Sequence, residues 1–297
     1  MKILYNKMLT TVVTYRRSIT RNYLQKAFII SSFVMMGICG FAQETDTVKL
    51  RITYDVKYKT TENKSLPEED VMALDIGDTS SHFYSRKAQR QKEIIDSMNA
   101  TRNINLDYIN KATMTLIGGQ MYHVYKNMPH KGVLTYTMEI LRDAYKTEEA
   151  MPSLDWQLEE GDTLICNYDC KKATTVFRGR TWTAWYATDL PFDDGPWKLC
   201  GLPGLIMKAT EKDNIFSFVC IGIEKGKGEK RVEIVKNKYI TCSPEKLNEI
   251  TNEYFSNMFK FMDKSSSNND FSESMKSKYP QMLKEKKPCS LEKVNSH

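Results

Sequence analysis

The chain has 297 residues, with 43 Lys or Arg against 37 Asp or Glu and a formal charge of +6. The excess is confined to the front: residues 1–42 hold six of the basic residues and none of the acidic ones, so the remainder balances at 37 of each. That balance excludes a nucleic-acid binder working by phosphate neutralisation, and 41% hydrophobic with 27% charged residues excludes global disorder.

Lys2, Lys7, Arg16, Arg17, Arg21 and Lys26 lead into Ala27–Cys39, an uncharged and mostly apolar run of 13. A bilayer-spanning helix needs about 20 such residues. Gly40 and Ala42 then supply small residues before a cut at Gln43, the pattern of a secretory signal peptide. Ile38 ahead of Cys39 is too large for lipidation of that cysteine. The expected organisation is a signal peptide over 1–42, a β-rich domain over 43–263 and a polar, loosely ordered tail over 264–297. The expected location is the periplasm or the outer membrane, with no transmembrane anchor once the leader is removed.

Along the domain, residues 48–58 alternate. Val48, Leu50, Ile52, Tyr54, Val56 and Tyr58 share one face and polar residues the other, which predicts a half-buried strand. Similar short strands are predicted at 71–76, 81–84, 112–117, 120–126 and 132–141, with a hairpin turn at Gly118-Gly119. Others are predicted at 163–168, 172–177, 180–187, 204–210, 214–224 and 231–235. Many short strands joined by short turns predict a mainly β, α+β fold built on a curved antiparallel sheet or half-barrel. Two helices interrupt it: a charged one at 86–99 and an amphipathic one at 244–262. The second has Ser243 as N-cap, Pro244 at the first helical position and an apolar stripe from Leu247 to Met262 to pack on the sheet.

Removal of the leader takes Cys39 and leaves Cys166, Cys170, Cys200, Cys220, Cys242 and Cys289. An even count in an exported chain makes all six disulfide candidates. Cys166 and Cys170 fall at even separation in a predicted strand, so each is expected to bond to a neighbouring strand rather than to the other. The four histidines, His82, His123, His130 and His297, lack ligand spacing to one another or to cysteine, so neither a metal nor a cofactor is expected.

Residues 181–210 are densely aromatic, with Trp182, Trp185, Tyr186, Phe192 and Trp197 close together. Asp193-Asp194-Gly195-Pro196 predicts a turn with Gly195 at positive φ, and Leu202-Pro203-Gly204-Leu205 predicts a type II turn with Gly204 at its third position. Leu199, Leu202, Leu205 and Ile206 are predicted to bury against the sheet.

The run Gly195-Pro196-Trp197-Lys198, followed by the complete hexapeptide Gly201-Leu202-Pro203-Gly204-Leu205-Ile206, resembles the signature of the GLPGLI family of exported Bacteroidetes proteins. Tyr168–Ala173, Phe177–Arg180 and His82–Ser85 are also similar to that family. The resemblance implies a β-rich envelope protein and carries no catalytic residue or cofactor with it.

No Gly-x-Ser-x-Gly elbow, His-Glu-x-x-His or P-loop is present, and no catalytic residue is assigned. Glu159-Glu160-Gly161-Asp162 reads as a solvated turn. Asp46-Thr47-Val48, Asp96-Ser97-Met98 and Asp162-Thr163-Leu164 fit a three-residue O-glycosylation pattern. Trp182, Trp185, Tyr186 and Trp197 are the candidate binding aromatics, and Arg178 and Arg180 are suited to an anionic group. The expected function is a non-enzymatic binding or carrier module for an apolar or anionic ligand or a protein segment. The alternatives are a hydrolase using a cysteine or carboxylate in the same cleft, and an adaptor in an outer-membrane assembly. The expected partner is an unidentified ligand or envelope protein, and not nucleic acid.

Overall fold

The computed structural model describes residues 46–62, 66–101, 119–141, 143–228, 230–265 and 287–293. The predicted leader, the strand predicted at 112–117 and Gly118 of its turn lie outside these residues. No described helix is long and apolar enough to cross a membrane.

Two short strands, β1 (Asp46–Thr47) and β13 (Arg231–Val232), form a ribbon of their own. The other twelve make one sheet. Its middle is built from β2 (Leu50–Tyr58), β3 (Glu68–Ile76), β4 (Ser81–Ser85), β5 (Tyr122–Lys126), β6 (Val133–Ile140) and β7 (Asp143–Ala150), each paired antiparallel with the next. β8 (Gln157–Ile165), β9 (Tyr168–Phe177), β10 (Arg180–Ala187), β11 (Leu205–Glu211) and β12 (Phe216–Lys225) form a second meander, joined to the first through β12 and β2. β14 (Tyr239–Thr241) adds to β7 in parallel, the one exception to the expected antiparallel pairing among the described strands.

β2 realises the predicted alternation: Ile52, Tyr54, Val56 and Tyr58 are buried while Lys57 is exposed. The strand predicted at 163–168 is split by a turn, while the break predicted between 177 and 180 is observed. β8 and β9 meet at Cys166-Asn167, both with positive φ (50° and 65°), and β9 and β10 meet at Arg178-Gly179 (51° and 71°). Both are two-residue turns of the kind whose twist matches paired strands. Cys166 therefore sits in a turn and not in a strand beside Cys170. β7 was not predicted, because Lys146, Glu148 and Glu149 dilute its apolar pattern.

The sheet is open but strongly curled. Seven strands separate β7 from β10, yet Arg178 in the β9–β10 turn pairs with Glu149 of β7. The curl brings Trp182, Trp197, Tyr54, Phe83 and Phe218 into one core, with Tyr54 Oη donating to the Ile206 carbonyl at 2.7 Å. The curved β-rich sheet expected from the sequence is thus the architecture observed.

Helix α1 (Arg86–Thr101) follows β4. The predicted helix 244–262 is instead two helices, α2 (Pro244–Ser256) and α3 (Met258–Ser265), broken where Asn257 turns extended (φ −152°, ψ 91°). Ser243 caps α2 as expected, its Oγ accepting from the Lys246 amide at 3.2 Å. Leu247 is buried, with Ile250 and Tyr254 packed beside it. Residues 287–293 of the tail lie against the domain. Pro288 bridges Thr61, the Cys289 amide donates to the Thr60 carbonyl (3.0 Å) and the Lys293 amide to the Arg178 carbonyl (3.0 Å).

Candidate functional site

The segment linking β10 to β11 is a tight loop. Its backbone closes on itself through Leu205 N–H to Leu190 O (2.9 Å) and Ile206 N–H to Asp194 O (2.9 Å). Neither predicted glycine conformation holds. Gly195 and Gly204 do not adopt positive φ; Gly201 does (93°), and so does the non-glycine Trp197 (53°). The reason for glycine at 204 is space: a Cβ there would lie 2.2 Å from the Ala187 carbonyl oxygen. At 195 a Cβ would lie 2.8 Å from the Ile206 side chain. Leu199, Leu202, Leu205 and Ile206 are buried as predicted.

A lysine from elsewhere holds this loop. Lys126, at the end of β5 and almost wholly buried, donates to Asp194 Oδ1 (2.5 Å), Gly195 O (2.7 Å) and Leu199 O (3.0 Å). Those three acceptors use all three of its N–H bonds.

The loop forms one wall of a cavity of about 400 Å³. Trp197 and Lys198 border it on that side, Tyr122, Tyr136, Met138 and Phe216 on the sheet, Leu247, Asn248, Thr251 and Tyr254 on α2, and Cys289–Glu292 at the rim. Its exposed lining is mostly apolar, with polar and charged residues such as Lys59, Glu68, Glu139 and Asn252 also on the wall. Burial pushes the Tyr122 and Tyr136 phenols well above their ordinary pKa, so both are neutral donors.

Lys198 on the wall and Arg178 beside it are matched by carboxylates. Lys198 Nζ lies 2.5 Å from Glu149 and 2.6 Å from Glu292, above the Tyr136 ring at 5.2 Å. Arg178 pairs with the same Glu149 and lies 3.8 Å from Glu292. Two cations and two carboxylates make a neutral network. Arg180 is buried against Glu211 (3.2 Å) and donates from Nε to the Ser290 carbonyl (2.9 Å). Arg178 and Arg180, expected to hold an anionic group, therefore hold the chain's own carboxylates and its C-terminal segment.

Of the candidate aromatics, only Trp197 borders the cavity. Trp182 and Tyr186 are core residues and Trp185 is half-buried beside Gly161. One polar group of α2 beside the cavity is incompletely matched. Asn248, nine-tenths buried, accepts from Ser290 Oγ (2.8 Å) through Oδ1, while its Nδ2 has no hydrogen-bond partner. Sequence reasoning missed Asn248 because it reads as one more polar position on an amphipathic helix.

The six cysteines are free thiols, and none is yet in the disulfides expected of them. Burial pushes the Cys200 thiol up to about 11, which leaves little thiolate at neutral pH. No histidine lines the cavity among the described residues, and no group of three or more His, Cys, Asp or Glu there is placed to hold a metal ion. Elsewhere on the sheet, on β4 and β5, His82 Nε2 and His123 Nδ1 lie 2.9 Å apart in a stack with Tyr84 and Tyr125.

Comparison with known proteins adds little chemistry. A family model described as a protein of unknown function (Porph_ging) matches residues 175–208, which cover β10, the β10–β11 loop and the start of β11. No curated protein matches the chain. Two solved structures of PNGF-II, in space groups P21 and C2, are 14% and 13% identical, each with a TM-score of 0.44. They align over 68% and 69% of this chain, which spans about a third of theirs (32%). A likeness at that level carries no argument about activity.

Proposed function

We propose that this chain is a non-enzymatic binding module of the cell envelope, of the GLPGLI type, holding an apolar ligand in the cavity between the sheet and α2. The observation that carries the reading is the cavity itself, whose exposed lining is mostly apolar and which Tyr122, Tyr136, Trp197, Phe216 and Leu247 border from sheet, loop and helix. The neutral Lys198–Glu149–Arg178–Glu292 network favours an uncharged apolar ligand over an anionic one. The complete Gly201–Ile206 hexapeptide supports the finer family reading, and the front of the chain supports export with 1–42 removed and 43–263 as the working domain.

The test is binding of an environment-sensitive apolar fluorophore to wild type and to Leu247→Trp, which fills the cavity from α2. Saturable binding by wild type, weakened at least tenfold in the variant, supports the reading. Equal binding by both, or none by wild type, refutes it. N-terminal sequencing of the natively expressed protein tests export, with Gln43 as the expected first residue.

A further inference from the structure

We propose that Cys166 and Cys220 form a dithiol redox site, closed to a disulfide by an external disulfide oxidant. Their sulfurs lie 3.7 Å apart, and the Cys166 thiol also donates to the Cys220 carbonyl at 3.3 Å. Bond formation requires the sulfurs to close by about 1.7 Å. Both attachment points have the freedom to allow it. Cys166 occupies the first central position of the β8–β9 turn at φ 50°, where glycine or asparagine is the usual occupant. Cys220 precedes a register shift in β12, between Cys220 and Gly222. A non-glycine residue held at positive φ is a local strain that function commonly explains.

Accessibility orders the steps. Cys166 is partly exposed and Cys220 is buried. The Cys166 thiolate attacks one sulfur of the oxidant, the oxidant's S–S bond breaks, and one thiol leaves with a proton. Cys220 then attacks the Cys166 sulfur of the mixed disulfide and releases the second thiol. Two protein thiols are oxidised, one external disulfide is reduced to two thiols, and the two protons depart with them. The new ring runs from the β8–β9 turn to the middle of the sheet and encloses the whole segment Gly195–Ile206. Oxidation thus fastens the curl of the second meander around the loop that walls the cavity. Cys170, buried on β9, is close enough to influence both sulfurs and is the competing nucleophile.

The experiment equilibrates the full chain with glutathione disulfide, alkylates residual thiols and maps tryptic peptides by mass spectrometry. Cys166 and Cys170 share one peptide, with no Lys or Arg between Thr147 and Cys170, so the map is repeated on Cys170→Ser. The expected result is a cross-link between that peptide and the Cys220 peptide, kept in Cys170→Ser and lost in Cys166→Ser. The unfolding temperature should be higher in the oxidised than the reduced wild type, and equal in the two states of Cys166→Ser. Full alkylation of Cys166 and Cys220 after oxidation, or a cross-link of either to another cysteine, overturns the proposal.

Discussion

Replacing Lys126 with Met tests whether the β10–β11 loop is held by one buried cation. Met keeps most of the apolar stem and removes the ammonium. Asp194 then keeps its 2.7 Å hydrogen bond from the Gly195 amide but loses the cation at 2.5 Å, and the Gly195 and Leu199 carbonyls lose their donor. The Lys126 and Asp194 side chains are 3% and 11% exposed, so water cannot replace what is lost without opening the loop. Breaking a buried pair from one side costs about 3–5 kcal/mol. For a domain of this size that lowers the unfolding temperature by roughly 10 °C. Urea denaturation followed by tryptophan fluorescence measures the loss, with Trp197 inside the loop as one reporter. Lys126→Met with Asp194→Asn removes the stranded charge and should recover part of the loss. A single variant within about 1 kcal/mol of wild type, or a double variant as unstable as the sum of its parts, would refute the reasoning.

Gly204→Ala drives a Cβ into the Ala187 carbonyl, a backbone group unable to step aside, and should cost about 3 kcal/mol. Gly222→Ala meets nothing within 4 Å and should be near neutral in the same thermal melt. The His82–His123 pair makes stability depend on pH. Burial holds His82 well below its ordinary pKa and His123 down to about 4. Between about pH 6.5 and pH 4 the unfolded chain takes up protons that the folded chain refuses, so stability falls as pH falls, by about 1–2 kcal/mol per histidine at pH 5. Asp46 and Asp75 are lowered and act below that window, while burial raises Asp70, which opposes the trend near its lower end. Urea midpoints at pH 7 and pH 5 should differ clearly less in a His82→Gln, His123→Gln variant than in wild type.

Strand alternation was legible wherever a strand has one wet and one dry face, as in β2. It failed at β7, where charged side chains serve long-range pairs: Glu149 belongs to Lys198 and Arg178. It also failed at Cys166-Asn167, since cysteine is not a residue by which such turns are recognised, whereas the break at Arg178-Gly179 falls where the predicted strands left it. The glycines of the loop were correctly singled out for the wrong reason. A sequence shows that a Cβ is absent; only the neighbouring chain shows whether conformation or space required it.

The order of residues alone determined a curved β-rich domain, a capped helix after it and an unusual Gly-Pro loop, because period-2 patterning, caps and turns are short-range physics. Tertiary structure decided which charges are spent and what faces the cavity. Lys126 meets Asp194 across 68 residues, and Arg180 meets Ser290 across 110. Such partners are chosen by how far the sheet curls. That curl is the sum of twist, bulges and packing over twelve strands, and no local window of sequence contains it.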